Sequence, residues 1–330
     1  ANISLNKKLI KFINWFSTYN LVPRGMVLKM CLGNLKSFDK VKKNFFDNKP
    51  KNNHINLSNE QRTALNNLIK SGNKFKVSVL LGVTGSGKTL VYFERIKKII
   101  KQNKQALILI PEIFLTTQFK NRFKLFFGYE PAIWHSKISL SKKRDIWQSI
   151  TKNEIKIIIG ARSSLFLPFK NLGLIVVDEE HDASYKQEES VIYNARDMAI
   201  LRASIENIPI HLITSIPSLE TYNNIQNRKY QKTELKKRFK DFPLPKTKVI
   251  NLNLQKLNKD SIADETINIV NEYLEKKEQI LFFLNRRGYA PFLICKNCGF
   301  RHTCPNCSIY LTYHKISEKI ICHYCGYQDK

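Results

Sequence analysis

The sequence predicts an α/β fold, a parallel sheet with helices on both faces, followed by a cysteine-rich metal-binding segment. Three observations predict it. Gly82-Val83-Thr84-Gly85-Ser86-Gly87-Lys88-Thr89 satisfies every fixed position of the phosphate-cradling pattern G-x-x-x-x-G-K-[S/T]. Apolar, β-branched runs alternate with amphipathic stretches from about Ile55 to Asn227, as in a parallel sheet connected by helices. Six of the seven cysteines stand as C-x-x-C pairs near the C-terminus.

The chain opens on a basic, aromatic segment. Leu9, Ile10, Phe12, Ile13, Phe16 and Tyr19 are spaced as an amphipathic helix, which Val22-Pro23-Arg24-Gly25 breaks before a second helical turn from Val27 to Cys31. Residues 34–54 are rich in Lys and Asn and read as a linker. Leu57-Ser58-Asn59-Glu60-Gln61 then reads as a helix cap with Glu and Gln in the first turn.

Val77 to Leu81 is a buried strand by pattern, and Leu90 to Ile100 follow at near-helical spacing. The glycines between them let backbone N–H groups turn inward around an anion. The positive end of the following helix adds to that attraction. Lys88 is expected to reach the β- and γ-phosphates and Thr89 to ligate Mg²⁺.

Further strands are expected at Ala106–Ile110, Ala132–Trp134, Ile155–Ile159, Leu172–Val177 and Ile210–Ile213. Helices are expected at Leu115–Phe127, Ser141–Thr151, Arg196–Ile205 and Ser218–Asn227. Residues 228–260, with Pro243 and Pro245, read as an interdomain crossing carrying one edge strand near Val249–Leu252. Helix Asp264–Lys277 and strand Gln279–Leu284 then open a second α/β lobe.

The run Leu174 to Val177 delivers Asp178-Glu179-Glu180-His181 to a strand end. Beside a phosphate loop, Asp178 is expected to hold Mg²⁺ largely through water. Glu179 is expected to accept a proton from the attacking water.

Net charge is +28. That suits a polyanionic partner, most plausibly nucleic acid, although lysines spread over every segment also fit AT-rich coding. No apolar run approaches the ~20 residues that span a bilayer. No signal segment opens the chain, so a cytoplasmic place is expected. The sequence begins at Ala1 and ends inside a cysteine pattern, so it is expected to be a fragment at both ends.

In such a chain the pairs Cys295/Cys298, Cys304/Cys307 and Cys322/Cys325 read as Zn²⁺ ligands rather than disulfides. Cys31 stands alone and reads as a buried apolar residue. A hairpin-sized span separates Cys307 from Cys322, which assigns one complete site to Cys304, Cys307, Cys322 and Cys325. The alternative joins Cys295 and Cys298 to Cys304 and Cys307. Either set is structural, because four thiolates leave no open position.

Beyond these motifs, an ordered series runs along the chain. It comprises Leu109-Ile110-Pro111-Glu112-Ile113 with Thr116 and Gln118, Trp134-His135-Ser136, and Gly160-Ala161-Arg162-Ser163-Ser164-Leu165-Phe166. Asp178 to Gln187, Tyr193-Asn194-Ala195-Arg196-Asp197 and Phe283-Leu284-Asn285-Arg286-Arg287-Gly288-Tyr289 continue it to the paired cysteines. The series resembles the primosomal protein N′ family of bacterial replication-restart helicases, in helicase superfamily 2.

The resemblance implies a RecA-like first helicase lobe at 55–245, the start of a second lobe at 246–294, and an inserted zinc segment at 295–330. Residues 1–33 would close an N-terminal DNA-binding region, and the linker is too short for the family's winged helix. It implies a 3′→5′ DNA helicase that hydrolyses ATP with Mg²⁺, carries two Zn²⁺, recognises stalled forks and restarts replication. Its partners would be forked DNA, primosome proteins, the replicative helicase loader and single-stranded DNA-binding protein. Cys295 and Cys298 would await a further pair beyond Lys330. Arg162, Ser163, Tyr185 and Lys186 would meet DNA. The family's S-A-T-P reads Thr214-Ser215-Ile216-Pro217 here, so the hydroxyl at Ile216 is expected to be lost. The piece given is expected to hydrolyse ATP slowly without the remainder of the second lobe. Two other readings are a non-hydrolytic zinc-bearing DNA platform and another superfamily 2 translocase.

Overall fold

The computed structural model describes residues 5–32, 56–70, 72–111, 114, 116–135, 138–188, 190–238, 242–243, 245–251, 262–283, 294–295, 297–307, 309–315 and 318–329. The expected linker lies outside them. So do Glu112, Ile113, Leu115, Ser136 and residues 284–293 with the Asn285-Arg286-Arg287-Gly288 motif. The chain divides into two compact units, 1–244 and 245–330.

The first unit begins with α1 (Lys7–Tyr19) and α2 (Arg24–Leu32), whose Leu9, Phe12, Phe16 and Val27 are buried in the core under one face of the sheet. Asn6 caps α1 by accepting from the Leu9 N–H at 2.7 Å. The chain continues through α3 (Asn59–Lys70), β1 (Lys76–Gly82), α4 (Lys88–Lys101), β2 (Gln105–Leu109) and α5 (Thr117–Phe127). Then come β3 (Ala132–Trp134), α6 (Leu140–Thr151), β4 (Ile157–Gly160) and β5 (Leu172–Asp178). A two-stranded ribbon, β6 (Lys186–Gln187) and β7 (Tyr193–Asn194), leads to α7 (Ala195–Glu206). The unit's last elements are β8 (Pro209–Thr214), α8 (Leu219–Gln226) and β9 (Gln231–Leu235).

Seven strands form one parallel sheet in the order β3-β4-β2-β5-β8-β1-β9. Its inner strands are mostly apolar because helices cover both faces, with Ser78, Gln105, His211 and Thr214 among the buried polar exceptions. The faces carry separate cores. Leu80, Ile108, Ile159 and Val176 join the aromatics of α4 and α5 on one side, and Val79, Leu107, Ile158 and Val177 join α1, α2 and α7 on the other.

Two expectations about strands fail. β9 falls in the stretch read as a crossing. It pairs in parallel with β1 from Ser78↔Gln231 to Gly82↔Leu235. Gln231-Lys232-Thr233-Glu234-Leu235 is polar because an edge strand buries only its inward residues, Thr233 and Leu235. Conversely, Val249–Asn251 and Gln279–Phe283 are not strands, and Leu252 and Leu284 lie outside the described residues. An extended run becomes a strand only where a neighbour takes its N–H and C=O groups, and no described strand lies alongside these.

The second unit contains α9 (Asp264–Glu275) and a small antiparallel sheet, β10 (Thr312–His314), β11 (Lys319–Ile321) and β12 (Gln328–Asp329). Its core is Cys304, Leu311, Ile320 and Cys322. Too few apolar residues are buried there to hold the ribbon by hydrophobic contact alone, which gives the cysteines structural weight.

Candidate active site and metal centre

The phosphate loop spans the end of β1 and the start of α4. Gly85 (φ +83°) and Gly87 (φ +82°) are left-handed, the conformation that turns the loop around an anion. Gly87 is also crowded: a Cβ there would lie 2.3 Å from Gln61 Nε2. The Ser86 hydroxyl is buried with no partner in the protein. That orphaned donor, at the positive end of α4, suits a phosphate oxygen. Lys88 Nζ donates to the loop's own Gly82 carbonyl at 2.7 Å, closing the cradle from inside. Burial lowers the Lys88 pKa, while Glu179 and Asp178 oppose that shift.

Gln61 is the residue the sequence undersold. The cap is present: Ser58 Oγ accepts from the Gln61 N–H at 3.2 Å, and Gln61 Oε1 accepts from the Ser58 N–H at 3.0 Å. The same amide donates from Nε2 to the Ser86 carbonyl at 3.0 Å. One side chain thus starts α3 and braces the phosphate loop, a second duty that no local pattern signals.

β5 brings Asp178 to the same cleft, which Gln61, Lys88, Thr89, Arg122, Asp178 and Glu179 line. Asp178 Oδ2 accepts from the Tyr92 hydroxyl at 2.8 Å, and Oδ1 accepts from the Glu179 N–H at 3.0 Å. Burial pushes its pKa up to about 6 despite the Tyr92 bond. A divalent cation beside it would restore the carboxylate, and Thr89 and Asp178 could supply oxygen donors to Mg²⁺. Glu179 is left-handed (φ +48°), an uncommon state for a non-glycine residue that lifts its side chain out of the strand's alternation.

The last residue of the acidic run faces the sheet neighbour. His181 Nδ1 lies 2.7 Å from Thr214 Oγ1 at the end of β8. That hydroxyl also accepts from the Ile216 N–H at 3.2 Å and lies 2.6 Å from the Ile216 carbonyl. Ile216, where the family's hydroxyl is missing, is 71% exposed, and Thr214 is buried. Glu180 is buried and clamps α7 to α8. Its Oε2 pairs with Arg196 Nη1 at 3.2 Å and accepts from Thr221 Oγ1 at 2.9 Å, while Oε1 accepts from the Ser218 N–H at 2.8 Å.

The residues expected to meet DNA divide. Ser163 and Lys186 are exposed, and Lys186 pairs with Glu188 at 3.2 Å. Arg162 is half-buried and donates to the Lys186 carbonyl at 2.8 Å, which ties the turn after β4 to the loop after β5. Tyr185 is buried. It is 2% exposed, and its hydroxyl bonds to the carbonyls of Leu109 at 3.0 Å and Asp178 at 2.5 Å. The ring sits beneath the strand ends and lines a small cavity with Pro111, Ala161 and Arg162. It braces the backbone that carries Asp178.

In the second unit the Sγ atoms of Cys304, Cys307, Cys322 and Cys325 lie within 4.8 Å of one another. Zn–S bonds of ~2.3 Å in a tetrahedron place sulfurs about 3.8 Å apart, and Cys304 and Cys325 stand at 3.5 Å. The thiols conflict when alone. The Tyr327 N–H pulls Cys325 down to about 7, whereas its bond to Cys325 pushes Cys307 up to about 12. A cation resolves that conflict, so the set fits structural Zn²⁺. Cys295 and Cys298 are exposed and stand outside this cluster. Their turn has the same form, with Gly299 left-handed (φ +71°) as Gly326 is (φ +77°).

Comparison with known proteins accords with both units. Residues 54–209 match the family described as type III restriction enzyme, res subunit, and residues 304–330 match the PriA DNA helicase Cys-rich region domain. The chain is 43% identical to the replication restart protein PriA of Rickettsia conorii over 332 aligned positions, covering 100% of this chain and 50% of that protein. It is 38% identical to PriA of Bacillus subtilis, covering 89% of this chain and 37% of the relative. Among solved structures, that of RecG bound to a three-way DNA junction aligns at 18% identity and a TM-score of 0.46, over 82% of this chain and 34% of that one. The chain spans about half the length of the Rickettsia relatives it matches. Across all of its residues, the chain belongs to the family of replication restart protein PriA.

Proposed function

We propose that the protein is an ATP-dependent 3′→5′ DNA helicase that acts at stalled replication forks and restarts replication through primosome assembly. The observation that carries this reading is the cleft in which Lys88, Thr89, Asp178 and Glu179 meet. A triphosphate on the loop would take the Lys88 ammonium from the Gly82 carbonyl. The Ser86 hydroxyl and the N–H groups at the start of α4 would hold its oxygens. Thr89 and Asp178 would hold Mg²⁺, which would supply charge neutralisation to the polyphosphate. Glu179 orients and deprotonates the water. His181, bonded to Thr214, joins the acidic run to the end of β8. Arg162 joins the neighbouring strand end to Lys186, so contact with DNA there would be felt at the nucleotide.

In this reading 55–245 is the first motor lobe, 246–294 opens the second, and 295–330 carries one complete Zn²⁺ site and half of another. Residues 1–33 belong to a DNA-binding region. Single-stranded DNA-binding protein, primosome proteins and the helicase loader are the protein partners, and the protein works as a monomer at the nucleoid. The test is ATPase activity of the full-length protein with and without forked DNA. Lys88→Ala is expected to abolish DNA-stimulated hydrolysis and unwinding while DNA binding persists. Unwinding that survives Lys88→Ala would sink the mechanism.

A further inference from the structure

The residues that follow β9 lie against the phosphate loop. Glu60, in the first turn of α3, accepts the backbone N–H of Lys236 at 2.7 Å and of Lys237 at 3.3 Å, one on each carboxylate oxygen. That clamp sets where the next residue projects. Arg238 Nε donates to the Thr84 carbonyl at 3.1 Å, and Nη1 donates to the Pro243 carbonyl at 3.2 Å. A Cβ on Gly85 would lie 3.5 Å from Nε and 3.8 Å from Nη2. The guanidinium therefore covers the face of the loop that glycine leaves bare.

Its charge is unspent. Among the described residues no carboxylate pairs with Arg238. A guanidinium has five N–H donors, and the two carbonyls take two of them. The others sit beside a loop shaped for an anion. A planar, permanently charged fork with free donors is the group that recognises phosphate with two parallel bonds.

We propose that Arg238 is a phosphate-contacting residue of the nucleotide site, engaging the polyphosphate of a nucleoside triphosphate from the β9 side of the loop. The proposal rests on the reading of Gly82–Thr89 as a triphosphate site. The same arginine bonds to the loop and to Pro243, near the end of the first unit, so a phosphate that draws it would also pull on the chain leaving the motor lobe.

The test uses the full-length protein, with ATP and ADP affinities measured by equilibrium titration for the unaltered protein, Arg238→Gln and Arg238→Lys. Gln keeps a donor for the Thr84 carbonyl and removes the charge. Lys keeps the charge and loses the fork. The expected result is a loss of about tenfold or more in affinity for Gln, as for a deleted charge-assisted hydrogen bond, with Lys recovering most of it. Gln binding as tightly as the unaltered protein overturns the proposal. Equal losses in Gln and Lys also overturn it, because the arginine would then only brace Thr84. If the unaltered protein binds no ATP, the reading of the loop itself fails. If it binds and Arg238→Gln matches it, only the role of Arg238 fails.

Discussion

His211 gives the first unit a calculable weakness in acid. It lies on β8, opposite Ser78 of β1 and Val176 of β5, and is 0% exposed. Burial, with the Arg95 charge nearby, lowers its pKa from 6.5 to about 3. The unfolded chain keeps the ordinary value, so below pH 6.5 protons bind the unfolded state preferentially. Stability is complete above pH 6.5 and is lost as pH falls from there towards 3. The loss reaches about 2 kcal/mol at pH 5 and about 5 kcal/mol once both states are protonated. The perturbation is His211→Leu, which removes the titration. Urea unfolding at pH 8 and pH 5 should be followed by tryptophan fluorescence, because Trp15, Trp134 and Trp147 all lie in this unit and the last two are buried. Carboxylates titrate alike in both proteins, so the difference between them isolates His211. The Leu protein should gain about 2 kcal/mol relative to the parent on going from pH 8 to pH 5. A difference that stays constant between the two pH values would refute the reasoning.

Gln61 should separate its two duties. Gln61→Glu keeps the acceptor for the Ser58 N–H but cannot donate to the Ser86 carbonyl, so thermal stability should change little while ATP affinity drops in equilibrium titration. Gln61→Ala should lose both, with a stability cost of about 1–2 kcal/mol. Cys322→Ser should remove one Zn²⁺ per chain by chromogenic chelator assay and unfold the β10–β12 ribbon. The fluorescence-detected unfolding of the first unit should stay unchanged, since the ribbon has its own small core.

Motifs contiguous in the chain were readable because local covalent geometry fixes them. The phosphate loop needs glycines where φ is positive, a C-x-x-C turn aims two thiolates at one ion, and a buried apolar strand ends in an acidic run. Those patterns located Gly82–Thr89, Asp178–His181 and the cysteine pairs, and the apolar runs located the inner strands to within a few residues. The edge strand β9 escaped because half its side chains face water. The strands expected at 249–252 and 279–284 have the right composition but no described neighbour, and pairing is a property of the neighbour.

Sequence by itself determined which groups make up the candidate phosphate and zinc sites, because side-chain chemistry and short-range backbone geometry travel with the chain. Only the tertiary structure decided how they are joined. The sheet order sets β8 beside both β5 and β1, so Thr214 meets His181 across 33 residues. It sets β9 beside β1, so Arg238 meets Thr84 across 154. It folds Tyr185 under the strand ends and Gln61 against Ser86. Such contacts follow from strand pairing and helix packing, which depend on distant residues at once and leave no spacing to read.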